Sequence, residues 1–211
     1  RLWFLNNLSP RKELYHVYFE LRAEGPVSPS FLRETLALLI DRHEALRWYF
    51  PVVDGKVQRL TLPPYEPFLP LHDFSKKEKE EALADYQSLK NLVMSAPFDL
   101  SREVPIRFTL IKMGEEDYRL LVTQHHIITD GWSLNVFSAE MAATYQALQA
   151  GAKPDLPTIE RSFQAFVQAE QKALDEGLFH DGLSYWKEQL ADLPTLSLPT
   201  IPVRRERRSF K

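Results

Sequence analysis

Hydrophobic and polar positions along this chain alternate between a period of two and a period near 3.6 residues. Residues 14–21 alternate, with Tyr15, Val17, Phe19 and Leu21 on one side, and predict a strand. Ser28-Pro29-Ser30 then opens a helix, since proline fits a first turn, and Leu32, Leu36, Leu39, His43 and Leu46 form its apolar stripe. Residues 47–53 and 56–62 flank Asp54-Gly55, a hairpin signal. A proline-dense connector at 63–70 leads to Ser75-Lys76-Lys77-Glu78, which has capping-box spacing. The charged helix behind it turns Ala82, Tyr86, Leu89 and Val93 inward and ends at Pro97. Ile106, Phe108 and Leu110 predict a strand that turns at 114–117 and pairs with the next one.

That next strand, residues 118–127, reads Tyr-Arg-Leu-Leu-Val-Thr-Gln-His-His-Ile. Alternation places Leu120, Val122, Gln124 and His126 on one face, and Leu121, Thr123 and His125 on the other. The two imidazoles therefore point apart. At most one faces a substrate, and a joint metal site is disfavoured because zinc needs convergent ligands. Thr129-Asp130-Gly131 carries turn chemistry: Gly131 permits a close backbone approach or positive φ, and Asp130 can bond nearby backbone or a cation. Ser133 is the expected N-cap of a helix striped by Leu134, Phe137, Met141, Tyr145 and Leu148, with Gly151 as its stop. Backbone donors at such a helix start could favour a developing negative charge. Two more helical patterns follow at 162–174 and 179–190. The element order predicts an α/β sandwich with a mixed sheet.

Composition narrows the function. The 211 residues suffice for one good core or two modest ones, and 44% are hydrophobic. A net charge of −3 leaves no electrostatic footprint for nucleic acid. No apolar run is long enough to span a bilayer and no signal peptide is visible, which is compatible with a cytoplasmic location. Arg1 in place of an initiator Met reads as a trimmed piece. The absence of cysteine removes disulfides, thiol catalysis and thiolate metal sites together. There is no His-Glu-x-x-His, no Gly-x-Ser-x-Gly elbow, and no phosphate or dinucleotide loop. If the chain is an enzyme, its nucleophile comes from a substrate.

Several segments, in order, resemble the signatures of nonribosomal peptide synthetase condensation domains. Arg1-Leu2-Trp3-Phe4-Leu5 resembles the end of the first motif. Arg42-His43-Glu44-Ala45-Leu46-Arg47-Trp48-Tyr49-Phe50 resembles the second, Arg-His-Glu-x-Leu-Arg-x-x-Phe. Residues 125–131 match His-His-x-x-x-Asp-Gly. Phe163-Gln164-Ala165-Phe166-Val167 is a looser match to the fourth. Tyr185-Trp186-Lys187-Glu188-Gln189-Leu190 and Leu198-Pro199-Thr200 resemble the stretch beyond that fourth motif. Trp132-Ser133 favours condensation over epimerization relatives, and His125 disfavours heterocyclization, which has Asp there.

The resemblance implies a chloramphenicol-acetyltransferase-like two-layer sandwich, one lobe of a V-shaped condensation domain. Residues 1–193 would be the N-terminal, donor-side subdomain, and 194–211 an extended basic segment leading to an absent second subdomain. It implies an acyltransferase that joins a carrier-bound acyl or peptidyl thioester to a carrier-bound amine in natural product biosynthesis. The expected partners are donor and acceptor carrier proteins, the second subdomain and adjacent synthetase domains, with neither nucleic acid nor membrane. The chain would need no cofactor or metal of its own, since the phosphopantetheine arms belong to the carriers. His126, Asp130 and Gly131 are the expected catalytic set, with His125, Arg42, Arg47, Trp132 and Ser133 as structural support. His126 would act as a general base, as an orienting group or as a hydrogen-bond donor to the tetrahedral species. Asp130 would fix the turn by pairing with an arginine, for which Arg42 and Arg47 are local candidates. His43 and Arg47 share a helical face by spacing. The alternatives are a lobe that docks a carrier without chemistry, and a coenzyme A-dependent acetyltransferase.

Overall fold

A computed structural model describes residues 1–194. The chain divides into two compact units, Arg1–Pro157 and Thr158–Lys211; each is described by itself. The predicted basic segment lies almost entirely outside the described residues, with only Pro194 inside them.

The first unit begins with helix α1 (Leu2–Leu8), strand β1 (His16–Glu24) and helix α2 (Pro29–Arg42). Two small ribbons follow, made from β2 (Trp48–Tyr49), β3 (Val52–Val53), β4 (Lys56–Val57) and β5 (Leu60–Thr61). Strand β6 (Leu71–Asp73), helix α3 (Lys79–Ser95), β7 (Ile106–Gly114), β8 (Asp117–His125) and α4 (Gly131–Gln149) complete it. The main sheet has the order β1-β8-β7-β6. β8 is antiparallel to both its neighbours, whereas β6 runs parallel to β7, so the sheet is mixed as expected. His16 pairs with His125 and Ile106 with Gln124, which puts the histidine-bearing end of β8 between two partners.

Local chemistry accounts for most boundaries. Ser28 caps α2 by accepting the Phe31 N–H, as residue type and Pro29 predict. Asp54 and Gly55 both adopt positive φ, 51° and 74°, which is the primed turn that Asp-Gly favours between β3 and β4. Gly151 stops α4 at φ 66°, where its N–H bonds the Leu148 carbonyl. The capping box at Ser75 does not form. Ser75 bonds Asp73 instead, α3 starts four residues later at Lys79, and its first turn has no side-chain cap. The stripe predicted to run through His43 to Leu46 also breaks: α2 ends at Arg42, His43 is extended, and Glu44–Arg47 forms a short 3-10 turn.

The main core lies between the sheet and helices α2 and α4. Leu36, Leu39 and Ile40 of α2 meet Leu110, Leu120 and Val122 of the sheet and Phe137 of α4. Burying each such side chain contributes roughly 1.5–3 kcal/mol. On the opposite face, Tyr86 of α3 packs on Ile111 and Leu121. There Glu20 accepts Lys90 Nζ at 2.8 Å, the Tyr86 hydroxyl and Arg119 at 3.4 Å. No described helix is long and apolar enough to cross a membrane.

The second unit holds α5 (Phe163–Asp175) and α6 (His180–Gln189), close to the predicted spans. Ser162 caps α5 by accepting the Ala165 N–H. Neither helix has a buried residue; Phe166, Tyr185 and Trp186 are all more than half exposed.

Candidate functional site

The site is built where β8 gives way to α4. β8 ends at His125, two residues earlier than its composition predicts, and His126 begins the turn. Strict alternation therefore stops short of His126. Leu120, Val122 and Gln124 share the α2/α4 face as predicted, while His126 leaves the sheet and is exposed. Its backbone N–H donates to the Tyr15 carbonyl at 2.8 Å, extending the β1 pairing by one bond and fixing where the ring departs.

His125 has the opposite environment. It is fully buried, with its ring near those of Tyr15 and His16. Nδ1 accepts the Ile127 N–H at 3.0 Å, so the neutral ring carries its proton on Nε2, which is buried without a partner. Burial, then the neighbouring His16 and His126, pushes its pKa down to about 4. An imidazole that locks the turn backbone and resists protonation is a structural group. The two rings are thus separated, and among the described residues no cluster of three or more His, Asp or Glu could hold a metal.

Asp130 is the N-cap of α4, a place the sequence suggested for Ser133. Its Oδ1 accepts the Ser133 N–H at 2.8 Å and the Ser133 hydroxyl at 2.7 Å. These bonds, the backbone one first, hold the Asp130 carboxyl below the usual carboxylate range. The expected arginine partner is not what braces it within the described residues. Arg42 pairs with Glu140, and Arg47 clasps backbone: its guanidinium donates to the carbonyls of Ile40, Leu62 and Asp41 at 2.9, 2.7 and 3.3 Å. Asp130 also claims the Ser133 amide, which is then not free for a developing oxyanion. Gly131 has no positive φ, but a Cβ there would meet nothing within 4 Å, so the backbone is open to close approach.

One cluster escaped the sequence. Glu140, two and a half turns into α4, accepts Arg42 Nε at 2.9 Å and Arg42 NH2 at 3.0 Å. It also sits 2.7 Å from His43 Nε2. Arg42 adds a bond to the Pro157 carbonyl. Burial raises the Glu140 pKa, but the hydrogen bonds from Arg42 and then His43 outweigh it and leave the carboxyl ionised. The signal available was the polar position Glu140 on an apolar helix. Its partners lie 97 and 98 residues away, beyond any local pattern.

Beside the turn lies a mostly apolar pocket of about 170 Å³. His43 and Leu46 line one side, Gln124, Ile128 and Thr129 the floor, and Trp132, Ser133 and Phe137 the other side. His126 is exposed and does not line it. Trp132, expected to support the site, is 80% exposed at the rim.

The family model described as Condensation domain matches residues 1–211. Malpibaldin synthetase of Mortierella alpina is 33% identical over 213 residues, covering 100% of this chain and 4% of that protein. Among solved structures, the starter condensation domain of rhizomide synthetase RzmA superposes with a TM-score of 0.80 at 19% identity, over 92% of this chain and 46% of that chain. The X-domain solved in complex with OxyB from teicoplanin biosynthesis gives a TM-score of 0.75 at 29% identity, over 97% and 46%. This chain belongs to the condensation-domain family, has the fold of its solved members, and spans under half the length of these matched proteins.

Proposed function

We propose that this chain is the N-terminal, donor-side half of a condensation domain that forms an amide bond in nonribosomal peptide or hybrid polyketide-peptide biosynthesis. The observation that carries this reading is the exposure of His126 at a bend whose flanks are pinned by buried His125 and by the Asp130 cap. In the reaction, the acceptor amine nitrogen attacks the donor thioester carbonyl, the C–N bond forms and the C–S bond breaks. The amine proton leaves through His126 and ends on the departing carrier thiol. His126 does this as a general base, or it orients the amine and hydrogen-bonds the tetrahedral species. No enzyme nucleophile is required, in keeping with a chain that has no cysteine. The phosphopantetheine arms come with the carriers as part of the substrates. Asp130 and Gly131 serve geometry: one fixes the bend, the other leaves room for the arm.

As one lobe, the chain supplies a single wall of the channel and is incomplete alone. A second reading, a lobe that docks a partner without chemistry, draws on the likeness to the X-domain, which was solved bound to OxyB. The two readings separate in one assay. The chain joined to its second subdomain is given loaded donor and acceptor carriers; condensation product supports the first reading. Carrier binding with no product on that joined protein supports the second.

A further inference from the structure

Gln124 is 2% exposed and lines the pocket beside the turn; its carboxamide is not among the fully buried groups left without a partner, so what little of it is reachable faces that pocket. A primary amide offers two donors and an acceptor. At the pocket surface these donors and this acceptor are available to a polar group that enters. The walls around it are apolar and aromatic: Leu46, Ile128, Val136 and Phe137, with the Trp132 indole at the rim. The size is that of a ring, since an apolar cavity of about 150 Å³ accommodates benzene. The wall opposite is stiff because Glu140 holds His43 in place.

We propose that this pocket receives the side chain of a carrier-bound substrate, specifically a ring-sized apolar group with one hydrogen-bonding tip, as in a hydroxyphenyl. Gln124 reads the tip, Phe137 and Ile128 flank the ring, and Trp132 folds over it. The assignment of the ligand as a substrate side chain rests on the amide-forming reading above. The recognition itself does not, because it requires neither His126 nor a carrier.

The probes are p-cresol and toluene, which differ only in the polar tip, titrated into the 211-residue chain. Binding is read from the shift of the Gln124 side-chain amide resonances and from the Trp132 contribution to fluorescence, isolated by comparison with Trp132→Phe. The expected result is that p-cresol binds at least tenfold more tightly than toluene and moves the Gln124 amide. Gln124→Leu should abolish that preference while toluene still binds; Gln124→Met is the second variant should the first misfold. His126→Ala should bind p-cresol like the wild type. Equal affinities in the wild type, no binding, or shifts that bypass Gln124 would overturn the proposal. That failure leaves the amide-forming reading standing, which is lost separately if the complete domain still forms product without His126.

Discussion

Glu140 and Arg42 form a two-point ion pair, 2.9 and 3.0 Å, joining the middle of α4 to the last residue of α2. Because His43 shares the same carboxylate, this pair sets one wall of the pocket relative to the helix that carries Asp130. Glu140→Ala leaves a mostly buried guanidinium without its anion. The expected cost is on the order of 2 kcal/mol, below the roughly 3–5 kcal/mol of a fully buried pair, because Arg42 stays 20% exposed. Urea denaturation should show a lower midpoint at unchanged slope. An unchanged midpoint would mean that the helices are held by apolar packing alone.

Asp130 acts on the start of α4, and the two functions of its carboxylate can be separated. Asp130→Ala removes the cap on Ser133 and should cost about 1 kcal/mol, whereas Asp130→Asn keeps an oxygen acceptor and most of that stability. Thermal melts of both variants check this. Equal losses would point to the charge rather than the cap.

His125 predicts a pH dependence with a definite sign. Its pKa is about 4 in the native state against 6.5 as the ordinary value. Between those values the unfolded chain binds more protons than the native one, so stability falls as pH drops from 6.5 towards 4. The steepest slope is about 1.4 kcal/mol per pH unit. His125→Asn, whose side-chain oxygen can still accept the Ile127 N–H, should lose about 1 kcal/mol less than the wild type between about pH 7 and pH 5.5. Denaturation curves at those two pH values decide it, and parallel losses would show that His125 takes up its proton freely in the fold.

Arg47 ties the end of α2 to the strand region around Leu62 through three backbone carbonyls. Arg47→Met removes all three donors while keeping the aliphatic stem, and should cost roughly 2 kcal/mol at about 1 kcal/mol per net bond after allowing for partial exposure. Calorimetry should record a lower Tm. Normal melting with lost activity would instead place Arg47 in the reaction.

Much of this was legible because the deciding interactions are local. Ser28, Asp54-Gly55, Gly151 and Ser162 act on backbone within three or four residues, and each forms the turn or cap that its residue type predicts. The alternating apolar run of β8 and the stripe of α4 likewise found their core faces. Failures came where two local solutions compete or where the partner is distant. Ser75 found Asp73 two residues back before it could cap α3. Asp130 and Ser133 are both good caps, and the structure uses the carboxylate as the cap and the serine as its donor. The Arg42–Glu140 pairing needed the tertiary fold, as did the pocket, since its walls come from two stretches of chain far apart in sequence, 43–46 and 124–137.

The most direct test concerns the exposed imidazole. His126→Ala, placed in the complete condensation domain with loaded donor and acceptor carriers, should melt like the wild type because the ring leaves no cavity. Single-turnover amide formation should fall by roughly 10²–10⁴-fold, the range for a positioned proton-transfer group, while carrier loading is unchanged. Product formation at the wild-type rate by a properly folded His126→Ala domain would contradict the account.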